Sequence, residues 1–590
     1  MFVDNKILIG KTNEKELYII PSMANRHGLI TGASGSGKTI TLKVMAESFS
    51  SAGVPVFLAD VKGDLAGMCM PGINNEKIQD RLNKLGISNF NFTNFPTIFW
   101  DVYGQSGHPI RTTVSSVGST ILSRMLGLTE AQAGVLAIAF KIAKDSNLEL
   151  VDLKDLRLLL QHIGDNRSEF TLNYGNVSVQ SIGGIQRSIL MLQEQGGDYF
   201  FGEPAIDIND FIKFNPENGY GNINILHATE LFKQPILYSC FLLWLLTYLN
   251  QNLPEVGDLD KPKIVFFFDE AHLLFDDMPK YMLTQVTQVV KLIRSKGIGL
   301  YFISQTPNDI PNDIQAQLGN RVQHTLRAYT PAEQKIVKSV ASSFRTNPNF
   351  NTEEAITSLG TGEALISFVT ENGEPGIVEK AIILPPQSQM GTIDEMLRAN
   401  VVNSSRFKGK YDDLIDRETA FEIIQAETER QQYEQQETET EMYSSTINND
   451  VNQPGYQTNP SPVQNYNTQP NNTTQSGQGM FSTPNNSGTF YNMNNSQYGN
   501  YNNPQNSSVQ PQPQQNVGNT SSGNVSKNAG KRTSTPSASS TSKKSSNSSK
   551  GTAKKKTSAA EKAFTKTTNS ALNTFGRKIG NEVFKKLFKK

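Results

Sequence analysis

Eight consecutive residues, Gly32-Ala33-Ser34-Gly35-Ser36-Gly37-Lys38-Thr39, satisfy G-x-x-x-x-G-K-[ST] at every constrained position. The chemistry open to such a run is capture of a nucleotide's phosphates. Glycines let the backbone wind round an anion, successive amides point inward, and a following helix adds the positive end of its dipole. Lys38 is then expected to hold the β- and γ-phosphates of ATP, and Thr39 to ligate Mg2+. In a Gly-rich chain the same pattern can be a mere turn, so its flanks matter. Here residues 27–31 supply an entering strand and residues 39–49 a leaving helix, which favours nucleotide binding.

Three further groups complete a hydrolytic set. The run Lys263-Ile264-Val265-Phe266-Phe267-Phe268 is apolar enough for a strand buried on both faces, and it ends in Asp269-Glu270, a Walker B pattern. Asp269 can reach the Mg2+ shell and Glu270 can polarise the attacking water as a general base. Two solvated carboxylates at a strand end would look alike in isolation; the phosphate loop upstream favours the catalytic pair. Gln305 closes another buried run, residues 299–304, where its amide can contact the γ-phosphate or the water, although Ser-Gln at a strand end is often just a turn. Residues 320–327 alternate like a strand and carry Arg321 and Arg327. Either guanidinium can reach a neighbouring subunit's γ-phosphate, or be an ion-paired surface arginine.

The elements that must position these groups follow from periodicity. Residues 7–9 and 17–20 read as a β-hairpin ahead of the phosphate loop. Residues 54–60 form an apolar strand ending in Asp60, followed by Lys62-Gly63-Asp64. Strand, helix and strand with a ligand loop between them open a doubly wound parallel sheet. A strand over 96–103 precedes residues 112–192, where apolar residues recur at three- and four-residue steps. This helical insertion either covers the sheet or grips a substrate, and its periodicity favours covering. Residues 222–226 resume the strand pattern, 236–249 form an apolar helix, 281–296 another helix, and 362–369 and 376–385 the closing strands. The 236–249 stretch falls short of the roughly 18–20 residues a membrane span needs, so a buried helix is expected.

Composition sets the limits. A chain of 590 residues exceeds one ordinary domain, yet only 37% of it is hydrophobic, so a long part is expected to be disordered. Lys+Arg 55 against Asp+Glu 55 gives a zero net charge that hides a polarised C-terminal half. Cys69 and Cys240 are the only cysteines and the six histidines lack ligand spacing, which excludes a disulfide framework and a Cys-based zinc site and fits a reducing cytoplasm. No signal peptide is expected at the N-terminus. Residues 406–442 are acidic and helix-favouring. Residues 443–550 are rich in Asn, Gln, Ser, Thr, Pro and Gly and cannot bury enough apolar surface to offset their ordering entropy. Beyond them Leu572, Phe575, Ile579, Val583 and Leu587 recur at helical spacing among lysines, a basic amphipathic helix suited to DNA phosphates, an anionic membrane surface or a protein partner's groove.

The phosphate loop, Phe57-Leu58-Ala59-Asp60-Val61-Lys62-Gly63-Asp64, Phe268-Asp269-Glu270-Ala271-His272, Ser304-Gln305-Thr306-Pro307 and Gly319-Asn320-Arg321-Val322-Gln323-His324 stand in one order. Together they resemble the HerA/FtsK superfamily of hexameric DNA-pumping ATPases, and more closely the bacterial HerA-like, YjgR-type family. Leu243-Trp244-Leu245-Leu246, Leu292-Ile293-Arg294-Ser295-Lys296-Gly297 and Gly362-Glu363-Ala364-Leu365 support the narrower match, which covers about residues 1–400 and the extreme C-terminus. The resemblance implies a RecA-like P-loop NTPase core of the α/β class with a mainly parallel sheet, Mg-ATP hydrolysis, and a homo-oligomeric ring, hexameric by preference, with sites between subunits. It also implies a glutamine sensor at Gln305 and an arginine finger on the strand after it, Arg327 first and Arg321 second. HerA proper carries a β-barrel ahead of its motor; with residues 1–31 before the loop, none is expected here.

The expected organisation is an ATPase domain over 1–400 with its insertion at about 112–195, an acidic helical or spacer segment over 401–442, a disordered linker over 443–550, and the basic helix over 551–590. Two functions fit. One is a ring ATPase that translocates along or unwinds DNA without reading bases, since no base-reading motif is visible. The other is a nucleotide-switched interaction ATPase whose tail binds a membrane surface or a protein partner; the intact acid pair favours turnover.

Overall fold

Short β-branched and aromatic runs separated by polar turns assemble into one mixed sheet. The structure is a computed structural model that describes residues 1–275 and 278–450. Its strands are β1 Phe2–Val3, β2 Lys6–Lys11, β3 Glu16–Ile19, β4 Gly28–Thr31, β5 Val56–Asp60, β6 Thr97–Asp101, β7 His108–Pro109, β8 Ile223–His227, β9 Ile264–Phe268, β10 Ile298–Ser304, β11 Asn320–Gln323, β12 Glu363–Ser367 and β13 Glu379–Ile383. They run in the order β1-β2-β13-β12-β11-β4-β10-β9-β5-β8-β6-β7, with β3 pairing β2. From β11 to β7 every neighbouring pair is parallel. From β11 back to β1 the pairs are antiparallel, so the N-terminal hairpin joins the sheet through β13.

Alternation along the central strands divides the core in two. Phe266 and Phe268 of β9 face one side with Phe57, Ala59, Leu300 and Phe302. Val265 and Phe267 face the other with Val56, Leu58, Tyr301 and Ile303. A strand with both faces covered must be apolar throughout, which is why residues 264–268 form an unbroken hydrophobic run. The second face is covered by helix α1, Lys38–Ser51, through Leu42, Val44, Met45 and Phe49. Helix α2, Glu76–Leu85, follows with an Asn75 cap.

The first face is covered by the insertion, α3 Val114–Met125, α4 Glu130–Asp145, α5 Leu153–Asp165, α6 Arg167–Tyr174 and α7 Val179–Glu194, then α8 Gly197–Phe200 and α9 Pro235–Asn252. Side-chain caps fix its geometry: Thr113, Thr129 and Asp152 each accept from an N-terminal amide of α3, α4 and α5. Their apolar residues and those of α9 share one cluster with the sheet, so the insertion does serve as a cover. Helix α9 is buried around most of its circumference, and no described helix is long and apolar enough to cross a membrane.

The remaining helices are α10 His272–Phe275, α11 Lys280–Leu292, α12 Asn312–Gln315, α13 Pro331–Ser342, α14 Thr352–Ser358, α15 Glu395–Ser404 and α16 Ala420–Asp450. Packing runs on past residue 400. Phe407 and Tyr411 are buried against Trp100. Asp210, with no exposed surface, accepts from Lys213, Lys410 and the Tyr411 hydroxyl. Asp155 of α5 accepts from the Thr419 hydroxyl at 2.6 Å and the Phe421 amide at 2.9 Å. Residues 405–424 thus strap the sheet edge to the insertion, so packing against the fold continues past residue 400. Helix α16 continues past residue 443, where the sequence places the start of the linker. The rest of that linker and the basic helix at 551–590 lie outside the described residues.

Candidate active site

The phosphate loop leaves β4 at Thr31 and is anchored on both sides. The Gly32 amide donates to the Gln305 carbonyl at 3.2 Å, on the β10 side, and the Ala33 amide to the Thr325 carbonyl at 2.8 Å, on the β11 side. Gly32, Gly35 and Gly37 adopt φ of 154°, 76° and 118°. At Gly37 this left-handed backbone opens the helix, and no side chain caps α1, so its first amides stay free for an anion. At Gly32 a Cβ would lie 2.5 Å from the Cβ of His324. The Lys38 ammonium curls into the loop, donating to the carbonyls of Gly32 at 2.7 Å and Ala33 at 3.3 Å. Burial lowers its pKa, against the pull of Glu270. Ser36 Oγ is buried with no partner among the described residues.

Across the sheet, Asp269 and Glu270 leave the end of β9. Asp269 is 2% exposed and its Oδ2 has no hydrogen-bond partner among the described residues. Burial pushes its pKa up to about 7. Glu270, 7% exposed, is held at φ 46°, a left-handed conformation that a residue with a Cβ adopts only under strain. Its Oε1 forms an ion pair with Lys62, and its Oε2 lies 3.3 Å from His272 Nδ1 without hydrogen-bond geometry. Strand β10 stands between β4 and β9, with Ser304 level with Thr31 and Phe302 level with Phe268. Phosphate loop and acid pair therefore face a shared space at the carboxyl ends of the strands, where open α/β sheets bind ligands.

These groups fit Mg-ATP. Among the described residues no cluster of three His, Cys, Asp or Glu can cage a metal alone. Mg2+ is usually held by one or two protein ligands plus phosphates and water, and the hydroxyl of Thr39 at the start of α1 and the buried, unpartnered Oδ2 of Asp269 are the candidates for that set.

The structure separates the two arginines. Strand β11 stops at Gln323, because its partner β4 turns away into the phosphate loop after Thr31. Arg327 thus lies beyond the strand on which it was expected. Its exposed side chain borders a cavity of about 270 Å3 with Ala33, Ser34 and Gln305 of the same chain. Arg321 is on β11, but its guanidinium is committed to the carbonyls of Leu318 at 3.1 Å and Gln315 at 3.3 Å. Gln305 anchors the loop through its backbone and keeps its amide exposed.

Other polar residues of the 319–324 motif support the loop. Thr31 donates to Gln323 at 2.6 Å, and the Asn320 amide donates to the carbonyls of Met23 at 3.1 Å and His27 at 3.2 Å. His324, fully buried, bridges Thr41 of α1 at 2.8 Å and the Glu363 carbonyl at 2.9 Å. Lys62 and His272 lie within the sequence motifs, but residue type alone gave neither a role. The signal was their position: Lys62 follows the end of β5, the neighbour of β9, and His272 sits two residues after Glu270.

A family profile for the helicase HerA-like C-terminal domain matches residues 5–472. The DNA double-strand break repair helicase HerA of Sulfurisphaera tokodaii is 23% identical over 383 residues, 62% of this chain and 67% of that protein. Its counterpart in Sulfolobus acidocaldarius is 23% identical over 362 residues, covering 61% and 65%. The chain therefore spans about two thirds of the length of these relatives. Among solved structures, the plasmid coupling protein TrwB with ADP and Mg2+ aligns with a TM-score of 0.43 at 14% identity, over 63% of this chain and 88% of that one. VirB4 of Thermoanaerobacter pseudethanolicus aligns at 0.41 and 15%, over 67% and 99%. With the profile covering most of its length, the chain belongs to the helicase HerA-like C-terminal family and is a P-loop ATPase of the HerA/FtsK superfamily.

Proposed function

We propose that the chain is a ring-forming Mg-ATPase that moves along DNA, gripping phosphates rather than bases. The observation that carries the hydrolytic part is the common register of three strands, which sets Lys38, Asp269-Glu270 and Gln305 around one space. Lys38 and the loop amides hold the β- and γ-phosphates. Thr39 and Asp269 are the protein ligands of Mg2+, which when bound neutralises charge developing on the phosphate oxygens. Glu270 orients and deprotonates water, and Gln305 reads the γ-phosphate position. Arg327 is the favoured finger, since its guanidinium is exposed where that of Arg321 is tied down. DNA as the track is supported by family membership and by relatives named as DNA double-strand break repair helicases; the hexameric ring is carried by the resemblance of the sequence motifs alone.

The test is the steady-state ATPase rate with and without single-stranded and duplex DNA, for the native chain, Lys38→Ala and Glu270→Gln. Stimulation by DNA that weakens steeply with salt, and loss of hydrolysis in both variants, are expected. Hydrolysis indifferent to DNA at low salt refutes the track; hydrolysis surviving both substitutions refutes the site.

A further inference from the structure

Lys62 faces two ways. It forms an ion pair with the carboxylate proposed to activate water, yet half of its side chain is exposed on the wall of a separate cleft of about 770 Å3. That cleft opens at the carboxyl ends of β5, β6 and β8, on the far side of β5 from the phosphate loop, and α15 closes its outer wall. It carries three cations, Lys62, Arg398 and Lys408, against two acids, Glu395 and Asp412. Asp412 is already engaged by His108 at 2.8 Å, by the Gly409 amide at 2.7 Å and by Lys408 at 3.5 Å, so Lys62 and Arg398 are the cations that matter for a ligand. Arg398 packs over the Phe99 ring at 4.6 Å, and its Nη1 is a buried donor with no partner among the described residues. His227 Nδ1 is likewise buried and unpartnered, although its Nε2 meets the Thr229 hydroxyl at 2.7 Å. Buried polar atoms are normally satisfied by protein or ordered water, so two unpartnered ones on one cleft wall leave hydrogen-bonding capacity for water or a ligand. A guanidinium donor, a half-exposed ammonium and a ring nitrogen able to carry a proton, on one cavity wall, suit phosphodiester oxygens.

We propose that this cleft binds the phosphate backbone of a single DNA strand, and that Lys62, drawn from Glu270 to a strand phosphate, couples DNA binding to hydrolysis. The proposal rests on the DNA reading above. With Lys62 on Oε1 the glutamate is pinned and its negative charge is shared with the ammonium, which makes it a weaker base even though Oε2 has no hydrogen-bond partner among the described residues. When the ammonium moves to a phosphate, Glu270 is freed. Lys62 is a positioning residue, since it acts through Glu270.

The experiment has two readouts on the full chain. The first is anisotropy of a fluorescein-labelled single-stranded oligonucleotide without nucleotide. Lys62→Ala and Arg398→Gln are each expected to weaken binding about three- to tenfold. The second is the ATPase rate. Without DNA, Lys62→Ala should run at least about threefold faster than the native chain, and saturating DNA should add less than about twofold. Lys62→Arg keeps the ion pair and should restore both the low unstimulated rate and the DNA response, which guards against misfolding. Slower unstimulated hydrolysis in Lys62→Ala, or native affinity in Arg398→Gln, overturns the proposal while a native chain that binds and responds to DNA keeps the translocase reading. A native chain that neither binds nor responds to DNA overturns both.

Discussion

The support beneath the phosphate loop can be tested through the charge state of His324. The Glu363 carbonyl can only accept, so Nδ1 carries the ring proton and Nε2 accepts from the Thr41 hydroxyl. The neutral ring satisfies both contacts, and burial lowers its pKa from the usual 6.5 to about 4. A histidine with a depressed folded value contributes stability that is fully present above its unfolded pKa and is lost as pH falls toward the folded one. With 6.5 and about 4 as the two values, the loss by pH 5 is about 2 kcal/mol. His27, also lowered to about 4, acts in the same direction. Asp60 and Asp269, raised by burial to about 6 and 7, act in the opposite one, because protonating them removes a buried charge. The total pH dependence is therefore a sum of opposing contributions, and a variant is needed to isolate one. His324→Gln retains a donor and an acceptor but cannot take a proton. Urea unfolding of both chains at pH 7.5 and 5.0 should show the native chain losing about 2 kcal/mol more than the variant. A difference below about 0.5 kcal/mol would refute the claim that burial holds this ring neutral.

The same site yields two further expectations. If Asp269, pushed up to about 7 by burial, is a Mg2+ ligand as proposed, protons compete with the metal there, and the half-saturating free Mg2+ for hydrolysis, corrected for protonation of ATP itself, should rise about tenfold from pH 8 to pH 6; a flat profile would remove Asp269 from the metal shell. Arg327→Ala should lower kcat about a thousandfold if this guanidinium meets the transition state. Arg321→Ala should instead leave kcat within about twofold and lower the unfolding free energy by about 1.5–3 kcal/mol, as two carbonyls lose a charged donor; the reverse pattern would exchange the two roles.

Periodicity exposed the central strands because burial on both faces demands apolar runs, as in 264–268 and 299–303, whereas a strand with one wet face would interrupt them with polar residues. The insertion was equally legible, since α4, α5 and α7 repeat at helical spacing. Helices α2, α13 and α14 went unread: they are short, and α13 and α14 pack in a small satellite cluster whose few apolar positions give a weak pattern. The end of β11 was misread because alternation continues through Arg327, whereas the ladder stops where its partner strand becomes the phosphate loop. The strap over residues 405–424 was hidden because its anchors, Asp210 and Asp155, are buried acids that besides local donors accept from groups some two hundred residues away or more, a pairing that local spacing does not encode. Around the site, residue types gave away the nucleotide chemistry. The ion pair of Lys62 with Glu270 was not visible, since only the fold places the end of β5 beside the end of β9.

Strand β10 pairs with β4 over Tyr301–Ser304 on one side and with β9 over Ile298–Phe302 on the other. It works as a spacer bar: the part that grips phosphate and the part that activates water cannot be pulled apart without breaking a continuous ladder. The spacing between phosphate loop and acid pair is thus fixed by backbone pairing, and any adjustment of one relative to the other falls to the loops beyond the strand ends.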